Sequence, residues 1–358
     1  MKTISSKTRG FVLAGICFVA AILTITSCKK DKAVSKQDFQ DVRLVASKSS
    51  YGSNVRVDPN FVNGWGIAFS PTGNAWISAE GAGTSVIYDK TGAQVLAAVT
   101  IPSGSAATGG APSGQVFNST TDFVIPGSTA AKFIFAGTDG VISAWASGGA
   151  AARVINNSST SAYTGITIAS DAGNNFLYAA NFKAGRIDVY DKNFAPVSKS
   201  FNDPALPSGY SPFNIQNVSG QLYVMYAKVE EATGDEEKGA GLGYVDIYDP
   251  SGSLVKRLTS QGVLNAPWGI AMAPSGFIKD HSSAILIGNF GDGRINAFDA
   301  NGNLLGTLSN NGTAVVIDGL WGISFAPSTA TGIDPNWLFY AAGPNDENDG
   351  LFGYIKPD

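Results

Sequence analysis

Short apolar segments follow one another along the chain, separated by turns rich in Gly, Asn and Asp. Alternating β-branched and aromatic positions within these segments are typical of β-strands. A segment containing Gly-Ile opens a unit, and the third segment of the unit often ends in Tyr-Asp or Phe-Asp. The clearest opening segments are residues 65–69, 268–272 and 321–325. The pattern therefore predicts an all-β protein built from a repeated unit of four strands.

Six copies of this unit fit between residues 42 and 358, at about 53 residues per copy, which is the spacing of propeller blades. In the divergent second copy the first strand is predicted at residues 122–125, after a Gly/Ser/Ala-rich loop at 103–114. The sixth copy lacks a fourth strand, and residues 41–46 have the alternation to supply it. Because this removes the unpaired edge of an open array, we predict a six-bladed β-propeller of four-stranded antiparallel blades, closed by the N-terminal strand.

Composition supports this class and excludes others. Charged residues make up only 15% of the chain, which contains 43 Gly and 16 Pro. A disordered polyelectrolyte needs far more charge, and a helical bundle needs more Lys, Glu and Leu. The sequence thus favours many short strands and tight turns, but it does not name a substrate or a reaction.

The N-terminus predicts a lipoprotein signal peptide over residues 1–27. Lys2, Lys7 and Arg9 precede an apolar stretch that is too short for a stable membrane span. The stretch ends in Ser27-Cys28, which resembles a bacterial lipobox, so Cys28 is the expected lipidation site and the membrane the expected partner. The alternative is an ordinary signal peptide with an incidental Cys. No Asp follows Cys28 directly, and the resemblance implies an outer-membrane location in a bacterial cell envelope, on its periplasmic or surface face.

Residues 28–41 are polar and lysine-rich, which indicates a lipid-anchored tether ahead of a propeller domain at 42–358. Removal of Lys2, Lys7 and Arg9 with the signal peptide takes the net charge from −4 to −7. An acidic surface disfavours nucleic acid as a partner. We expect a monomer.

Cysteine and histidine usage limits the possible chemistry. Cys17 leaves with the signal peptide and Cys28 is acylated, so the folded domain has no thiol for a disulfide, a nucleophile or a zinc site. The single histidine, His281, lies in a predicted turn between two strands. Repeated Asp residues after the third strands, such as Asp89, Asp249 and Asp299, are interpreted as turn-forming rather than catalytic.

Several segments resemble those of an uncharacterised bacterial family of secreted six-bladed propellers, similar in style to NHL-repeat and gluconolactonase-like folds. The resemblance covers most of the mature chain and is carried by residues 58–66, 211–215, 264–269, 288–293 and 343–346. It implies that the loops before the first strand and between the second and third strands of each blade open on one face, called here the top face.

Gluconolactonase-like propellers hold a metal ion at the top face. The resemblance therefore implies Ca²⁺ as a possible cofactor, with Glu80, Asn181, Asn214 and Asn289 as metal ligands. Asp139 or Asp292 would act as the catalytic base. The alternative is that these side chains cap strand ends and satisfy turn backbone.

Other top-face residues suggest ligand binding. Trp65, Trp268 and Trp321 occupy equivalent repeat positions, either as an aromatic rim that stacks on a ligand or as packing between blades. The acidic runs at 230–237 and 345–349 fit either a cation-binding lid or solvated loops. The remaining predicted ligand-binding residues share a position in top loops and are Asn63, Asn214, Lys228, Asn265 and Asn345.

Two functions follow from these features. The first is a lipid-anchored, non-catalytic binding module that takes a carbohydrate, peptide or protein on the top face of the central channel. The second is a Ca²⁺-dependent hydrolase or lactonase of gluconolactonase-like type. The first is favoured because the predicted top-face loops contain no histidine, the commonest catalytic base.

Overall fold

Six antiparallel sheets are arranged as blades around a central axis in the computed structural model, which describes residues 37–358. The predicted signal peptide (1–27), the predicted lipidation site Cys28 and most of the predicted tether (28–41) lie outside the described residues. The inner strand of each blade contacts the inner strand of the next, and the last contacts the first. The predicted six-bladed all-β propeller is therefore confirmed.

The strands, numbered along the chain, fall into six blades, and each blade begins at the central axis with its first strand. The chain opens with β1 (Phe39–Ala46) and β2 (Arg56–Val57). Blade 1 contains β3 (Gly64–Phe69), β4 (Ala75–Ala79), β5 (Thr84–Tyr88) and β6 (Gln94–Thr100). Blade 2 contains β7 (Pro112–Phe117), β8 (Phe133–Gly137), β9 (Val141–Trp145) and β10 (Ala152–Asn156). Blade 3 contains β11 (Tyr163–Asp171), β12 (Asn174–Asn181), β13 (Arg186–Tyr190) and β14 (Pro196–Val197).

Blades 4 to 6 follow the same order. Blade 4 contains β15 (Tyr210–Val218), β16 (Gln221–Lys228), β17 (Tyr244–Tyr248) and β18 (Leu254–Ser260). Blade 5 contains β19 (Pro267–Ala273), β20 (Ala284–Asn289), β21 (Ile295–Phe298) and β22 (Leu304–Thr307). A small hairpin of β23 (Ser309–Asn310) and β24 (Thr313–Ala314) precedes blade 6, which contains β25 (Leu320–Phe325), β26 (Leu338–Ala342) and β27 (Leu351–Pro357). Two 3-10 turns span Ser49–Tyr51 and Glu80–Ala82.

The N-terminal strand closes the ring as predicted. β1 pairs antiparallel with β27 from Phe39 opposite Pro357 to Ala46 opposite Leu351. Phe39 is fully buried against Phe277, with ring centroids 5.4 Å apart. The strand therefore begins three residues before the predicted start of the propeller at residue 42, because Phe39 belongs to the core rather than to a tether.

Close backbone approach between blades explains the glycines of the inner strands. A Cβ on Gly66 would lie 2.7 Å from the carbonyl oxygen of Ser113 in the next blade, and one on Gly322 would lie 2.6 Å from that of Trp65. Gly114, Gly165 and Gly269 meet their neighbouring strands in the same way. Only a residue without a side chain permits this spacing, which sets the radius of the ring.

One strand prediction was wrong. The first strand of blade 2 is β7 (Pro112–Phe117), not residues 122–125, so the predicted loop at 103–114 ends inside a strand. This strand is not recognisable as apolar in the sequence, because its polar side chains satisfy buried backbone groups. Gln115 donates to the carbonyl oxygens of Gly66 (2.8 Å) and Trp76 (2.5 Å).

The repeated Asp residues form turns, as predicted. One carboxylate oxygen of Asp89 accepts the backbone N–H groups of Thr91 (2.8 Å) and Ala93 (3.0 Å). Asp249 and Asp299 make the same pair of bonds in blades 4 and 5. Side-chain hydrogen bonds from Thr91, Ser251 and Asn303, together with these backbone bonds, hold the pKa of the three carboxyls below the usual value, against the opposing effect of burial.

Candidate ligand-binding site

An aromatic plug fills the centre of the channel. Trp321, which is completely buried, stacks between the rings of Trp65 and Phe290, at centroid distances of 3.5 and 3.8 Å. Trp268 meets Trp65 and Trp321 edge-on at 6.0 and 5.8 Å. The three tryptophans predicted either to stack on a ligand or to pack between blades therefore pack on one another.

The plug separates two cavities. The lower cavity has a volume of about 480 Å³ and is lined by the inner strands and by Trp268. The upper cavity has a volume of about 600 Å³, and Trp65, Phe182 and Trp321 form its aromatic part. Both volumes lie in the range of small-molecule sites.

Loops between the second and third strands of the blades line the upper cavity, which confirms that they share one face. The loop after β4 contributes Glu80, the loop after β8 contributes Thr138, and the loop after β12 contributes Lys183. The longest loop, after β16, contributes residues 233–236, and the loop after β26 contributes Glu347. Charged and hydroxyl side chains thus surround an aromatic base.

Asn63, predicted to bind ligand directly, instead positions the groups around the cavity. It is only 2% exposed and has a left-handed backbone (φ 51°). Its Oδ1 accepts the indole N–H of Trp321 at 3.2 Å, and its Nδ2 donates to Glu80 at 3.2 Å and to Glu347 at 2.8 Å. One buried amide therefore joins two cavity carboxylates to the aromatic plug.

Backbone hydrogen bonds place Glu236 at the cavity. Glu236 forms an isolated β-bridge with Val229, and Val229 packs against the aromatic plug. The next residue, Glu237, donates its N–H to the carbonyl oxygen of Lys228 at 2.7 Å, and the two side chains form an ion pair at 2.8 Å. Lys228, predicted to bind ligand, is thus engaged beside the cavity rather than lining it.

Asn265, another predicted ligand residue, accepts the N–H of Gly239 at 2.7 Å and holds the same loop.

Three consecutive left-handed residues present Glu347 to the cavity. The φ angles of Asn345, Asp346 and Glu347 are 60°, 48° and 64°. Each costs about 1–2 kcal/mol for a non-glycine residue. The turn is held by a bond from the Glu347 N–H to the carbonyl oxygen of Gly343 (3.1 Å) and from the Asn345 N–H to Asp318 (3.0 Å). Asn345, predicted to bind ligand, therefore has a structural role in this turn.

Burial and nearby carboxylates destabilise the ionised form of the carboxyl groups that line the cavity. Burial raises the pKa of Glu80 and of Glu347 above the usual value, and nearby carboxylates add to both effects. Burial, with smaller contributions from Glu347 and Asp235, raises the pKa of Glu236 to about 7. Within residues 37–358 none of the three forms an ion pair with a lysine or arginine. The cavity lining therefore contains three carboxyl groups whose neutral forms are favoured by burial.

Two buried polar groups on the cavity wall are unsatisfied. Trp65 is 6% exposed and Thr164 is 5% exposed, and both line the cavity. In the described part of the chain, neither the Nε1 of Trp65 nor the Oγ1 of Thr164 has a hydrogen-bond partner. Both atoms are themselves almost inaccessible, so they belong to the packed wall rather than to the surface that a ligand would contact.

The four predicted metal ligands do not line one cavity. Glu80 lines the upper cavity, whereas Asn214 lines the lower one and donates to the carbonyl oxygen of Trp268 at 2.7 Å. Asn181 donates to Asp188 at 2.8 Å, and Asn289 donates to the carbonyl oxygen of Val263 at 2.8 Å. Among residues 37–358 no group of three His, Cys, Asp or Glu side chains is placed to hold a metal ion.

The two candidate catalytic carboxylates are also tied to their own loops. Asp139 accepts the N–H of Val141 at 3.2 Å, and burial raises its pKa. Asp292 accepts from the Asn289 amide at 3.1 Å and from the Arg294 N–H at 3.2 Å, and it lines a small groove beside the main cavity. His281 lies on a loop between a first and a second strand, far along the chain from the cavity loops.

The sequence interpretation left the roles of Glu236, Glu347 and Thr164 open or unassigned. The two glutamates fall in the acidic runs for which a cation-binding lid was one of two interpretations. Thr164 lies near the start of an inner strand, a position that carries no distinctive signal in the sequence. No helix in residues 37–358 is long and apolar enough to cross a membrane.

The fold and this cavity define a six-bladed β-propeller with a top-face cavity that is lined by acidic residues. Uncharacterized protein R648 of Acanthamoeba polyphaga mimivirus is 34% identical over 335 residues, which cover 88% of this chain and 79% of the viral protein. The chain belongs to the same family as that protein. Uncharacterized protein L690 of the same virus is 39% identical over 208 residues, covering 55% of this chain and 52% of its own length. These relatives are viral, whereas the sequence resemblance pointed to a bacterial family.

Structural similarity extends to bacterial propellers. Virginiamycin B lyase from Staphylococcus aureus superposes with a TM-score of 0.52 at 14% identity, covering 90% of this chain and 99% of the lyase. An auxiliary nutrient binding protein from Bacteroides thetaiotaomicron gives a TM-score of 0.53 at 11% identity, covering 89% and 77% of the two chains. At these identities the likeness concerns the fold alone. No protein-family model matches the chain.

Proposed function

We propose that this protein is a binding module that holds a small polyhydroxylated ligand, of carbohydrate type, in the upper cavity. The observation that carries the proposal is a cavity of about 600 Å³ whose lining combines carboxylate, hydroxyl and ammonium side chains with an aromatic base. Ligand hydroxyls both donate and accept hydrogen bonds, so they match carboxylate acceptors as well as lysine and threonine donors.

The rest of the wall fits the same ligand class. Glu80, Glu236 and Glu347 accept hydrogen bonds from hydroxyls, and Lys183 and Thr138 donate to them. The aromatic base offers edges and partial faces rather than an open stacking surface, because Trp321 is sandwiched between two rings. Polar contacts therefore determine the ligand class, and a concave volume of about 600 Å³ fits a small molecule.

Replacing Thr138 by valine is expected to weaken the binding of a neutral polyol about fivefold, because the cavity lining loses a hydroxyl and an isosteric methyl cannot replace it. Binding of D-sorbitol and of simple hexoses is measured by calorimetry and by thermal shift at millimolar concentration. Thr167→Val is the control, since Thr167 lines the lower cavity.

The two threonine variants separate the two cavities. Loss of binding in Thr138→Val with retention in Thr167→Val supports the upper cavity as the site. The reverse pattern would move the site to the lower cavity, and the absence of binding to any of these sugars and polyols by the unmodified protein would overturn the proposed function.

We further propose that Cys28 carries a lipid that anchors this module to the envelope membrane, on the strength of the lipobox-like Ser27-Cys28 sequence. Expression in a bacterial host with labelled palmitate should label the unmodified chain and place it in the membrane fraction. Cys28→Ala should lose both the label and the membrane association. Equal labelling of the two chains would contradict the assignment.

A further inference from the structure

We propose that the outer edge of blade 3 is a docking site for an extended, uncharged peptide segment of another protein, which adds to β13 as an outer strand. The outer partner of β13 (Arg186–Tyr190) is β14, which pairs with Val189 and Tyr190. The groove beside this edge shares no lining residue with the upper cavity, so peptide binding here is independent of polyol binding there.

The other blades show what is missing at this edge. In blade 1 the outer strand pairs with β5 from Thr84 to Tyr88, and in blade 4 it pairs with β17 from Tyr244 to Tyr248. Among residues 37–358, no strand pairs with the outer side of Arg186, Ile187 or Asp188. Blade 3 therefore has a vacant fourth-strand position along the first part of β13.

The backbone of Ile187 faces this vacancy. The N–H of Asp191, just after β13, donates outward to the carbonyl oxygen of Ala195 at 2.8 Å. In an antiparallel ladder every second residue directs both its N–H and its C=O to the same side. No register shift interrupts β13, so Ile187, four residues before Asp191, directs both groups to the open edge. A free donor and acceptor on a strand edge form a template for another strand.

The chain that would fill the position is held elsewhere. After β14 it turns toward blade 4, where the Nζ of Lys199 donates to the carbonyl oxygen of Pro250 at 2.8 Å. The ring of Phe201 packs edge-on against Tyr178 and Tyr248, at centroid distances of 5.8 and 5.3 Å. Extending β14 along β13 would break these contacts, so the vacancy is a stable feature of the blade.

An apolar groove of about 470 Å³ lies beside the vacant edge. Val154 and Ile155 of blade 2 line it together with Ile187, Val189 and Val197 of blade 3. An added strand pairs its backbone with the edge, and its alternate side chains enter such a groove. A helix cannot do the same, because its backbone groups are already bonded within the helix.

The charges on the groove lining favour an uncharged segment. The lining has three charged side chains, which are Arg186, Asp188 and Lys199. Arg186 pairs with Asp188 at 2.6 Å, and Lys199 pairs with Asp171 at 2.6 Å. Because each charge already has an opposite partner, a charged peptide residue would gain little here and would lose its hydration.

A peptide with the sequence of β6, residues 94–100, is the probe, because β6 fills the equivalent position in blade 1 and has no charged residue. It is acetylated, amidated and labelled through an added C-terminal lysine. Fluorescence anisotropy measures its binding to the full chain. We expect hydrogen exchange of the Ile187 amide, followed by mass spectrometry, to slow at least about tenfold at saturating peptide, because a bonded amide is protected.

Two N-methylated versions of the peptide distinguish strand addition from simple burial in the groove. One is methylated at the amides of residues 95, 97 and 99, and the other at those of residues 96, 98 and 100. In an added strand only one of these sets faces β13. We expect one version to bind at least about tenfold more weakly than the other, because it loses the hydrogen bonds to the edge.

Val154→Lys should weaken binding of the unmethylated peptide about fivefold, because it places a charge on the apolar wall of the groove. Val255→Lys is the matched control. Val255 is exposed on β18, the outer strand of blade 4, and its replacement should leave the affinity within about twofold.

Several results would overturn the docking site. These are no binding of the unmethylated peptide at millimolar concentration, equal binding of the two methylated peptides, or binding that leaves exchange at Ile187 unchanged. Exchange at Ile187 that slows with rising protein concentration in the absence of peptide would assign the edge to a second copy of the chain. Slow exchange at every concentration would assign it to a segment of the same chain, and either assignment would exclude the proposed partner.

Discussion

Replacing Trp321 by alanine is expected to lower the free energy of unfolding by about 3–5 kcal/mol, the cost of removing a large aromatic side chain from a packed core. Trp321 is completely buried, stacks on Trp65 and Phe290, and contacts Trp268 and Phe213. No neighbouring side chain can fill the space easily, because the four aromatic neighbours are themselves packed in the same buried cluster. Urea denaturation followed by far-UV circular dichroism measures the loss.

The same substitution has a second consequence at the cavity. The indole of Trp321 donates to Asn63, and Asn63 positions Glu80 and Glu347. We therefore expect weaker polyol binding in addition to lower stability. Trp321→Phe is the control, since it keeps a stacked ring and loses only the indole N–H. An unfolding free energy within about 1 kcal/mol of the unmodified protein for Trp321→Ala would contradict the role of the plug.

The second large effect is expected at the closing strand. Val45 is fully buried on β1 and lies opposite Phe352 on β27. Val45→Asp would place an unpaired carboxylate between β1 and the core of blade 6, and we expect a loss of about 4 kcal/mol or more in the free energy of unfolding. Gln40→Asp adds the same charge at an exposed position of the same strand, and its effect should stay within about 0.5 kcal/mol.

Two spectroscopic signals show whether the pairing of β1 with β27 stabilises the whole ring. Circular dichroism reports all the sheets, whereas tryptophan fluorescence reports the plug at the axis. We expect both unfolding curves of Val45→Asp to shift together, because a ring opened at blade 6 loses contacts on both sides. An unchanged fluorescence curve beside an early loss of part of the dichroism would mean that blade 6 unfolds alone.

The sequence was most informative where the same short-range pattern of residues recurs. Alternating apolar segments and Asp-containing turns recur in each blade, so six units could be counted, and the missing strand of the last unit indicated closure by residues 41–46. The divergent blade 2 was the exception. Its inner strand, β7, contains Ser113, Gly114 and Gln115, whose polar character reflects bonds to another blade rather than local strand propensity.

The candidate site was predictable as a face but not as a set of contacts. Because the strands of each blade run antiparallel from the same starting end, the loops between the second and third strands lie at one end of the channel. This holds whatever residues the loops contain. The sequence cannot show that Asn63 bonds to Glu347, 284 positions later, or that Trp65 stacks on Trp321. It therefore left open whether the tryptophans bind ligand or pack, and whether the acidic runs are solvated or face a cavity.

The chain alone thus determined the number of blades, the closing strand and the turn chemistry, because each depends on short-range periodicity and backbone geometry. Only the tertiary structure shows which groups the Asn amides bond to, that Trp65, Trp268 and Trp321 pack on one another, and that Glu236 and Glu347 line a common cavity. These contacts join residues from different blades, and their strength depends on burial, which no local pattern in the sequence records.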